Sequence, residues 1–161
     1  MNAEVATFWR YIDSSLERLA AVVAAMDEAE LSWRPPAHEA NSLHVLATHT
    51  FGNAEENLVG LLGAEEVRRD RDAEFATGSG NGRALEARWR SLRPRIERAL
   101  AGLDGAELER PHAHPRRGAV TGREVLLVVA RHAAEHLGQA ELTRDLLRQA
   151  QSSGSSAPAS T

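Results

Sequence analysis

The chain has 161 residues, a formal net charge of −4 and no cysteine. This length fits one domain with a full hydrophobic core, and the missing cysteines exclude disulfides, thiolate metal ligands and a cysteine nucleophile. All 19 basic residues are arginine, which excludes lysine Schiff-base chemistry. The negative charge does not attract nucleic acid or an anionic membrane. No apolar run reaches the roughly 18 residues of a membrane span, and the N-terminus lacks a signal-peptide pattern. We therefore expect a cytoplasmic protein with no nucleic-acid or membrane partner.

The first half of the chain predicts two helices. Apolar residues recur at steps of three and four over residues 3–27, which is the spacing of one helical face. Two consecutive prolines follow, and they prevent the helix from continuing. Asn41 or Ser42 is expected to cap a second helix over residues 42–62. Its inward stripe starts apolar and turns polar at His49, which indicates a pocket inside the bundle.

The second half predicts two more helices and a long crossover. Residues 63–82 are expected to form a long connection. In a bundle such a connection can run the length of the molecule and make helices 2 and 3 parallel. Helix 3 is expected over residues 83–103, with a kink or a restart at Pro94. After a loop over residues 104–120, helix 4 is expected over residues 122–149.

The whole pattern is that of an all-α protein: a four-helix bundle with a long helix 2–3 crossover in an up-down-down-up arrangement. Thr121 and Glu124 predict a capping box at the start of helix 4. The bundle is expected to occupy residues 1–150. A tail rich in Ser, Ala and Gly over residues 151–161 is expected to be disordered.

Three histidines carry the chemistry that the sequence predicts. His132 and His136 are four residues apart, so a helix places them on one face with Cβ atoms about 5–6 Å apart. That separation suits two imidazoles on one metal ion, and His49 lies on the inward stripe of another helix. Three protein nitrogens with one open position are typical of a catalytic zinc-type site. We therefore predict all three as metal ligands; the alternative is that they are neutral core histidines.

Other polar residues of helix 2 are candidates for contact with the metal ligands or a substrate. Asn53 is the best placed, because it lies one turn beyond His49. Glu55, Glu56 and Asn57 are further candidates. No motif identifies a catalytic base.

Two other groups of residues allow more than one interpretation. His112 and His114 lie in a proline-flanked loop and are expected to be solvated. The charged segment 68–75 either locks the crossover through ion pairs or binds an anionic substrate near the mouth of the bundle, and the structural role is favoured. The arginines of helix 3 alternate with glutamates, which indicates a solvated outer face.

Two histidine segments resemble the DinB/YfiT-like superfamily of metal-dependent hydrolases and thiol transferases. The stretch Asn41-Ser-Leu-His-Val-Leu-Ala-Thr-His49 is similar to that family's helix-2 signature, and His132-Ala-Ala-Glu-His-Leu-Gly-Gln139 is similar to its helix-4 signature. The resemblance implies a four-helix bundle, three-histidine ligation of zinc, nickel or another divalent ion, and often a homodimer. Some relatives are transferases or isomerases that use a low-molecular-weight thiol, mycothiol or bacillithiol.

These observations favour a metal-dependent enzyme that acts on a small molecule, as a thiol-dependent S-transferase or as a hydrolase. A cation with an open position would lower the pKa of a bound thiol or water and stabilise the charged form. The alternative is a non-catalytic helical module that binds metal for stability or dimerises. The substrate, the metal and the thiol stay open at this point.

Overall fold

The computed structural model describes residues 1–76 and 80–154, and most of them are helical. In chain order the helices are α1 (Ala3–Ala24), α2 (Glu28–Ser32), α3 (Leu43–Ala54), α4 (Arg71–Ala76), α5 (Gly82–Ala101), α6 (Gly105–Glu109) and α7 (Gly122–Gly154). The four long ones, α1, α3, α5 and α7, lie where the four helices were predicted. The mainly helical fold is therefore confirmed, and the relative directions of the helices stay a prediction.

Side-chain caps explain where two of the long helices begin. Ser42 Oγ accepts a hydrogen bond from Val45 N at 3.3 Å at the start of α3. At the start of α7, Thr121 N donates to Glu124 Oε2 at 2.7 Å and Glu124 N donates to Thr121 Oγ1 at 3.2 Å. These contacts satisfy amides that have no partner inside the helix. The predicted capping box is present.

The second predicted helix changes its geometry halfway along. After α3, residues Glu55–Leu62 form a π-helical segment, which closes with Gly63 N donating to Leu58 O at 3.0 Å. A π-helix joins residues five apart, so the 3.6-residue register of α3 does not continue through it. Such segments are frequent at functional sites, and this one directly follows the helix that carries His49.

Two connections that were expected to be irregular contain regular structure. The crossover includes α4; residues 77–79, which hold part of its glycine-rich stretch, lie outside the described residues. Over residues 104–120 the chain forms α6 and an antiparallel hairpin of β1 (Pro111–His114) and β2 (Gly118–Thr121). The loop prediction was wrong there, because strands of four residues are too short for a period-two pattern to stand out.

The hydrophobic core lies between the four long helices. α1 packs against α5 and α7, and α3 packs against α7. Trp89 is 1% exposed and stacks on Phe51 with ring centroids 5.9 Å apart. Its indole Nε1 donates to Glu17 at 2.6 Å, so the one polar atom of the ring is satisfied. α5 is a single helix through Pro94, so the expected restart does not occur.

α7 extends past its predicted end. Ser152 and Ser153 belong to this helix, and their hydroxyls donate to the carbonyls of residues 148 and 149 at 2.9 Å. The first residues assigned to the tail are therefore helical, and residues 155–161 lie outside the described residues. Within the described ranges, no helix combines the length and the apolar character that a bilayer crossing requires.

Candidate metal centre

Three imidazoles meet between α3 and α7. His132 Nε2 lies 3.1 Å from His49 Nε2 and 3.1 Å from His136 Nε2. One ring nitrogen from each histidine lies within 4.8 Å of the other two. His49 is buried, and the other two are half-buried. The tertiary structure thus brings together the three histidines that the sequence singled out.

The outer ring nitrogens of two of these histidines have oxygen partners. His49 Nδ1 lies 3.0 Å from Glu74 Oε2, and His136 Nδ1 lies 2.7 Å from Gln139 Oε1. Because both oxygens accept, each of these rings carries its proton on Nδ1 and presents an Nε2 lone pair to the centre. A proton on His132 Nε2 would bridge only one of the two 3.1 Å contacts. At least two nitrogen lone pairs therefore face each other without a shared proton.

The third imidazole completes the group. His132 Nδ1 is buried and has no hydrogen-bond partner among the described residues, so either tautomer leaves this atom unpaired. A metal bound through Nε2 requires the proton on Nδ1, and all three Nε2 lone pairs then point to one place. Converging lone pairs repel one another unless a cation lies between them.

The donor set fits a divalent metal ion. Metal–nitrogen bonds of about 2.0–2.1 Å in a tetrahedral site place two ligand nitrogens about 3.3 Å apart. The observed separations of 3.1 Å are close to that value. Neutral imidazole is a ligand for zinc, copper, iron and nickel, so the residues are compatible with several metals.

Burial keeps two of the imidazoles neutral. Desolvation, together with repulsion from His136 and His49, lowers the pKa of His132 to about 3. Desolvation also lowers the pKa of His136, although its hydrogen bond with Gln139 opposes the shift. At neutral pH these two rings therefore offer lone pairs without first losing a proton.

Glu74 on α4 holds His49 from the crossover. Burial acts to raise the pKa of Glu74, but hydrogen bonds from His49 and Arg69 and the charge of Arg69 outweigh it and lower the pKa. The ionised carboxylate therefore accepts the proton of His49 Nδ1. A carboxylate in this position fixes the orientation of a metal-binding imidazole and makes it a better ligand.

Arg69 ties this carboxylate to the bundle. It donates to Glu74 through Nε and Nη2, both at 2.7 Å, and to His49 O at 3.2 Å. Arg69 Nη1 donates to Glu56 at 2.9 Å. Arg69 Nη2 also lies 3.2 Å from His49 Nδ1. Both nitrogens donate to Glu74 Oε2, so this short separation is not itself a hydrogen bond. These ion pairs match the structural role favoured for the charged segment.

Gly52 provides the space for this contact. It lies three residues after His49, on the same face of α3. A Cβ at this position would lie 2.0 Å from Glu74 Oε1 and 3.1 Å from Arg69 Nε. The Glu74 carboxylate therefore occupies the space that a side chain would need. A glycine inside a helical pattern is a sequence signal for such a close approach.

A cavity of about 320 Å³ lies beside His49 and His132 of this centre. Its lining consists of His49, Asn53, Arg69, Arg71, His114, Arg116, Arg117 and His132. Asn53 lines this cavity and is 8% exposed, and its contact with a substrate stays a prediction. A larger cavity of about 730 Å³ lies beside Met26 and Asn81, away from the histidines. The smaller cavity is the one that adjoins candidate chemistry, and its volume suits a small ligand.

The other polar candidates of the second helix make contacts with protein groups. Asn57 is buried, donates to Asn53 O at 2.8 Å and does not line the cavity. Glu55 forms an ion pair with Arg95 at 2.5 Å, which joins the π segment to α5.

Glu56 lies between two arginines near the cavity. It pairs with Arg69 at 2.9 Å and with Arg116 of the β1–β2 turn. Burial raises its pKa, but the hydrogen bonds from the two guanidinium groups outweigh that and lower it. Glu56 is therefore an ionised link between the crossover and the hairpin.

The expectation that His112 and His114 are solvated was wrong. They are 8% and 6% exposed, because alternate residues of β1 point towards the bundle. His114 lines the cavity, and its Nδ1 accepts a hydrogen bond from Arg116 N at 3.1 Å. Desolvation and the nearby charge of Arg116 lower the pKa of His114. The only sequence signal was the short alternation His-Ala-His.

The fold and the centre define a helical-bundle protein with three histidines arranged as for a divalent metal. The family model of the DinB superfamily matches residues 11–140, a range that includes all three. The chain belongs to the DinB superfamily, which confirms the resemblance of its two histidine segments.

One solved structure shows the same fold. A conserved protein from Enterococcus faecalis superposes with a TM-score of 0.71 at 18% sequence identity, covering 92% of this chain and 99% of that chain. Similarity at this identity shows the fold alone. No curated protein matches the chain.

Proposed function

We propose that this protein is a metal-dependent enzyme that acts on a small molecule, with His49, His132 and His136 as the metal ligands. The observation that carries the proposal is the convergence of the three histidines: His132 Nε2 lies 3.1 Å from His49 Nε2 and from His136 Nε2, and the outer nitrogens of His49 and His136 face oxygen acceptors. A cavity of about 320 Å³ adjoins this centre. A closed structural site would have a fourth protein ligand, and the histidine group has three members among the described residues.

The finer proposal is a thiol-dependent S-transferase or a hydrolase. Zinc or nickel at three neutral histidines would lower the pKa of a thiol or water that binds it. The chain has no cysteine, so the thiol would be an external low-molecular-weight compound such as mycothiol. Glu74 and Arg69 orient His49, and Asn53 contacts the substrate in the cavity. A cytoplasmic location is part of this proposal.

A non-catalytic module that binds metal or dimerises is the second candidate. Large apolar side chains are exposed on α7: Leu127 at 58%, Leu142 at 60% and Leu146 at 37%. Leu142 and Leu146 lie one helical turn apart, and we propose that part of α7 as the surface through which such a module would form a homodimer. A homodimer is compatible with either function, so the test has to address the metal.

The first experiment measures metal content by elemental analysis of untagged protein. We expect about one divalent ion per chain in the wild type, and its loss in His49→Ala, His132→Ala and His136→Ala. His38→Ala is the matched control, because His38 is exposed and lies outside the centre. Circular dichroism shows whether each variant keeps its helices.

The outcomes separate the two candidates. Metal that chelation removes while the chain stays folded, with its helical signal kept and its melting temperature lowered only by the lost binding free energy, supports the enzyme and justifies a screen for thiol transfer and hydrolysis. Collapse of the fold on metal removal supports a structural ion. A wild-type protein that binds no metal after zinc and nickel are added back would overturn the ligand assignment.

A further inference from the structure

The cavity beside the histidines has a charge opposite to that of the chain. The protein has a formal net charge of −4. Among the described residues, the lining of the cavity includes no Asp or Glu and four arginines: Arg69, Arg71, Arg116 and Arg117. A concentration of guanidinium groups in an acidic protein attracts anions to this one place.

Two of the four arginines are neutralised by buried or half-buried carboxylates. The Arg69 side chain is 5% exposed and pairs with Glu74 and Glu56. Arg116 pairs with Glu56. These two guanidinium groups are parts of the scaffold around His49, and their positive charge is already balanced by protein.

The other two, Arg71 and Arg117, are not balanced in this way. Neither forms an ion pair with an Asp or Glu of the described residues, whereas Arg68, Arg69 and Arg116 beside them all do. Both are exposed at the level of the whole residue, and both line the cavity. They are charged donors beside the centre without a carboxylate partner.

Packing fixes the place of Arg71 relative to the centre. Its guanidinium carbon lies 4.9 Å from the centroid of the Phe75 ring, and that ring lies 4.8 Å from the imidazole of His49. The cation–π contact holds the guanidinium plane without using its N–H donors. The Phe75 ring therefore lies between the Arg71 guanidinium and His49, a predicted metal ligand.

The β1–β2 turn brings Arg117 to the same cavity. Arg117 N donates to His114 O at 3.3 Å, and Arg116 N donates to His114 Nδ1 at 3.1 Å. The ion pair between Arg116 and Glu56 fastens the turn to the π segment. The Arg117 side chain is thus carried by an anchored turn.

Asn53 is independent evidence that the cavity receives a ligand. It is 8% exposed, and its Oδ1 is buried without a hydrogen-bond partner among the described residues. Buried polar atoms are rarely left unsatisfied, and a ligand or an ordered water completes them. A ligand with an N–H or O–H donor beside its charged group would satisfy Asn53 Oδ1, which accepts.

We propose that the substrate of this site carries an oxyanion group, a carboxylate or a phosphate, that Arg71 and Arg117 bind beside the three histidines. That this anion is a substrate rests on the proposed function, whereas the binding of the anion does not depend on it. Guanidinium groups pair with carboxylate and phosphate oxygens through two parallel N–H donors, which gives strength and orientation. The cavity of about 320 Å³ limits the substrate to a small molecule.

The test is calorimetric titration of metal-free and zinc-loaded protein with succinate, inorganic phosphate and the neutral succinamide. Wild-type protein should bind succinate or phosphate saturably and should not bind succinamide. Arg71→Gln and Arg117→Gln should each weaken anion binding about tenfold, since each loses one charge-assisted pair. Arg90→Gln is the matched control: it removes the same charge from the exposed face of α5, and its affinity should stay within about twofold.

Binding in the metal-free protein separates this proposal from the proposed function. Saturable anion binding that the double variant Arg71→Gln/Arg117→Gln abolishes supports the oxyanion site, whether or not zinc is bound. If neither anion binds the wild type, or if the double variant binds as tightly as the Arg90→Gln control, the oxyanion site is refuted even where the histidines bind zinc. A wild type that binds anions but never zinc overturns the metal assignment and leaves the oxyanion site standing.

Discussion

The most direct test of the support around His49 is the substitution Gly52→Ala. The added methyl group would lie 2.0 Å from Glu74 Oε1 and 3.1 Å from Arg69 Nε, and the first of these distances is far below van der Waals contact. The carboxylate is the end of a flexible side chain, so it can move and the fold should survive. Its contacts with His49 Nδ1 and with Arg69 are then lost or lengthened.

Two opposing terms set the size of the effect. Alanine is more favourable than glycine inside a helix by about 0.8–1.0 kcal/mol. Hydrogen bonds to charged groups contribute about 1.5–3 kcal/mol each, and Gly52→Ala disturbs the one at 3.0 Å from His49 and those at 2.7 Å from Arg69. The carboxylate is mobile enough to keep its bonds to Arg69 from a shifted position, so we count the loss of one such bond, the one from His49. The expected net loss in the free energy of unfolding is then about 0.5–2 kcal/mol. Loss of an oriented carboxylate–histidine contact should also weaken metal binding about 10- to 100-fold.

Gly138→Ala is the matched control. Gly138 lies in α7, two residues after His136, and an added Cβ there meets no atom within 4 Å. This variant should gain up to about 1 kcal/mol from helix propensity and keep its zinc affinity. Urea unfolding of metal-free protein and zinc titration against a chelator measure the two effects. Equal zinc affinities, with a gain of stability in both variants, would refute the close-packing argument.

Two further predictions concern buried ionisable groups near the centre. Glu74→Gln should lower zinc affinity about 10- to 100-fold, because the imidazole of His49 loses its charged acceptor. Glu66→Gln, at a carboxylate whose side chain is 76% exposed, should leave zinc affinity unchanged. Loss of affinity in both variants would point to a general charge effect. The lowered pKa of His114 means that the unfolded chain binds more protons as the pH falls through about 6.5, so acidification destabilises the folded state. His114→Asn keeps an acceptor for Arg116 N and should lose less stability than the wild type between about pH 7.5 and 5 in urea unfolding. Identical losses in the two proteins would show that His114 does not contribute to the acid sensitivity.

Local patterns in the sequence are sufficient to predict the four long helices and to single out the three histidines. A helical face is visible from the recurrence of apolar residues, and a cap such as Ser42 or Thr121 marks where a helix begins. The geometry of a single helical turn is enough to predict that His132 and His136 lie on the same face. These features depend on neighbours in sequence, so they can be predicted without knowing which helices meet.

The supports of the centre depend on contacts between distant segments. Glu74 reaches His49 from α4, 25 residues away along the chain, and only because Gly52 leaves room for it. His114 was expected to be a solvated loop residue, but the β1–β2 hairpin places its side chain in the lining of the cavity.

The register of the second helix changes at a π segment that apolar periodicity does not reveal. The sequence by itself determined where the four long helices form and which imidazoles are candidates for a metal. Tertiary packing decided which carboxylate orients His49 and which arginines face the cavity, because those choices depend on close approaches between segments and not on local propensity.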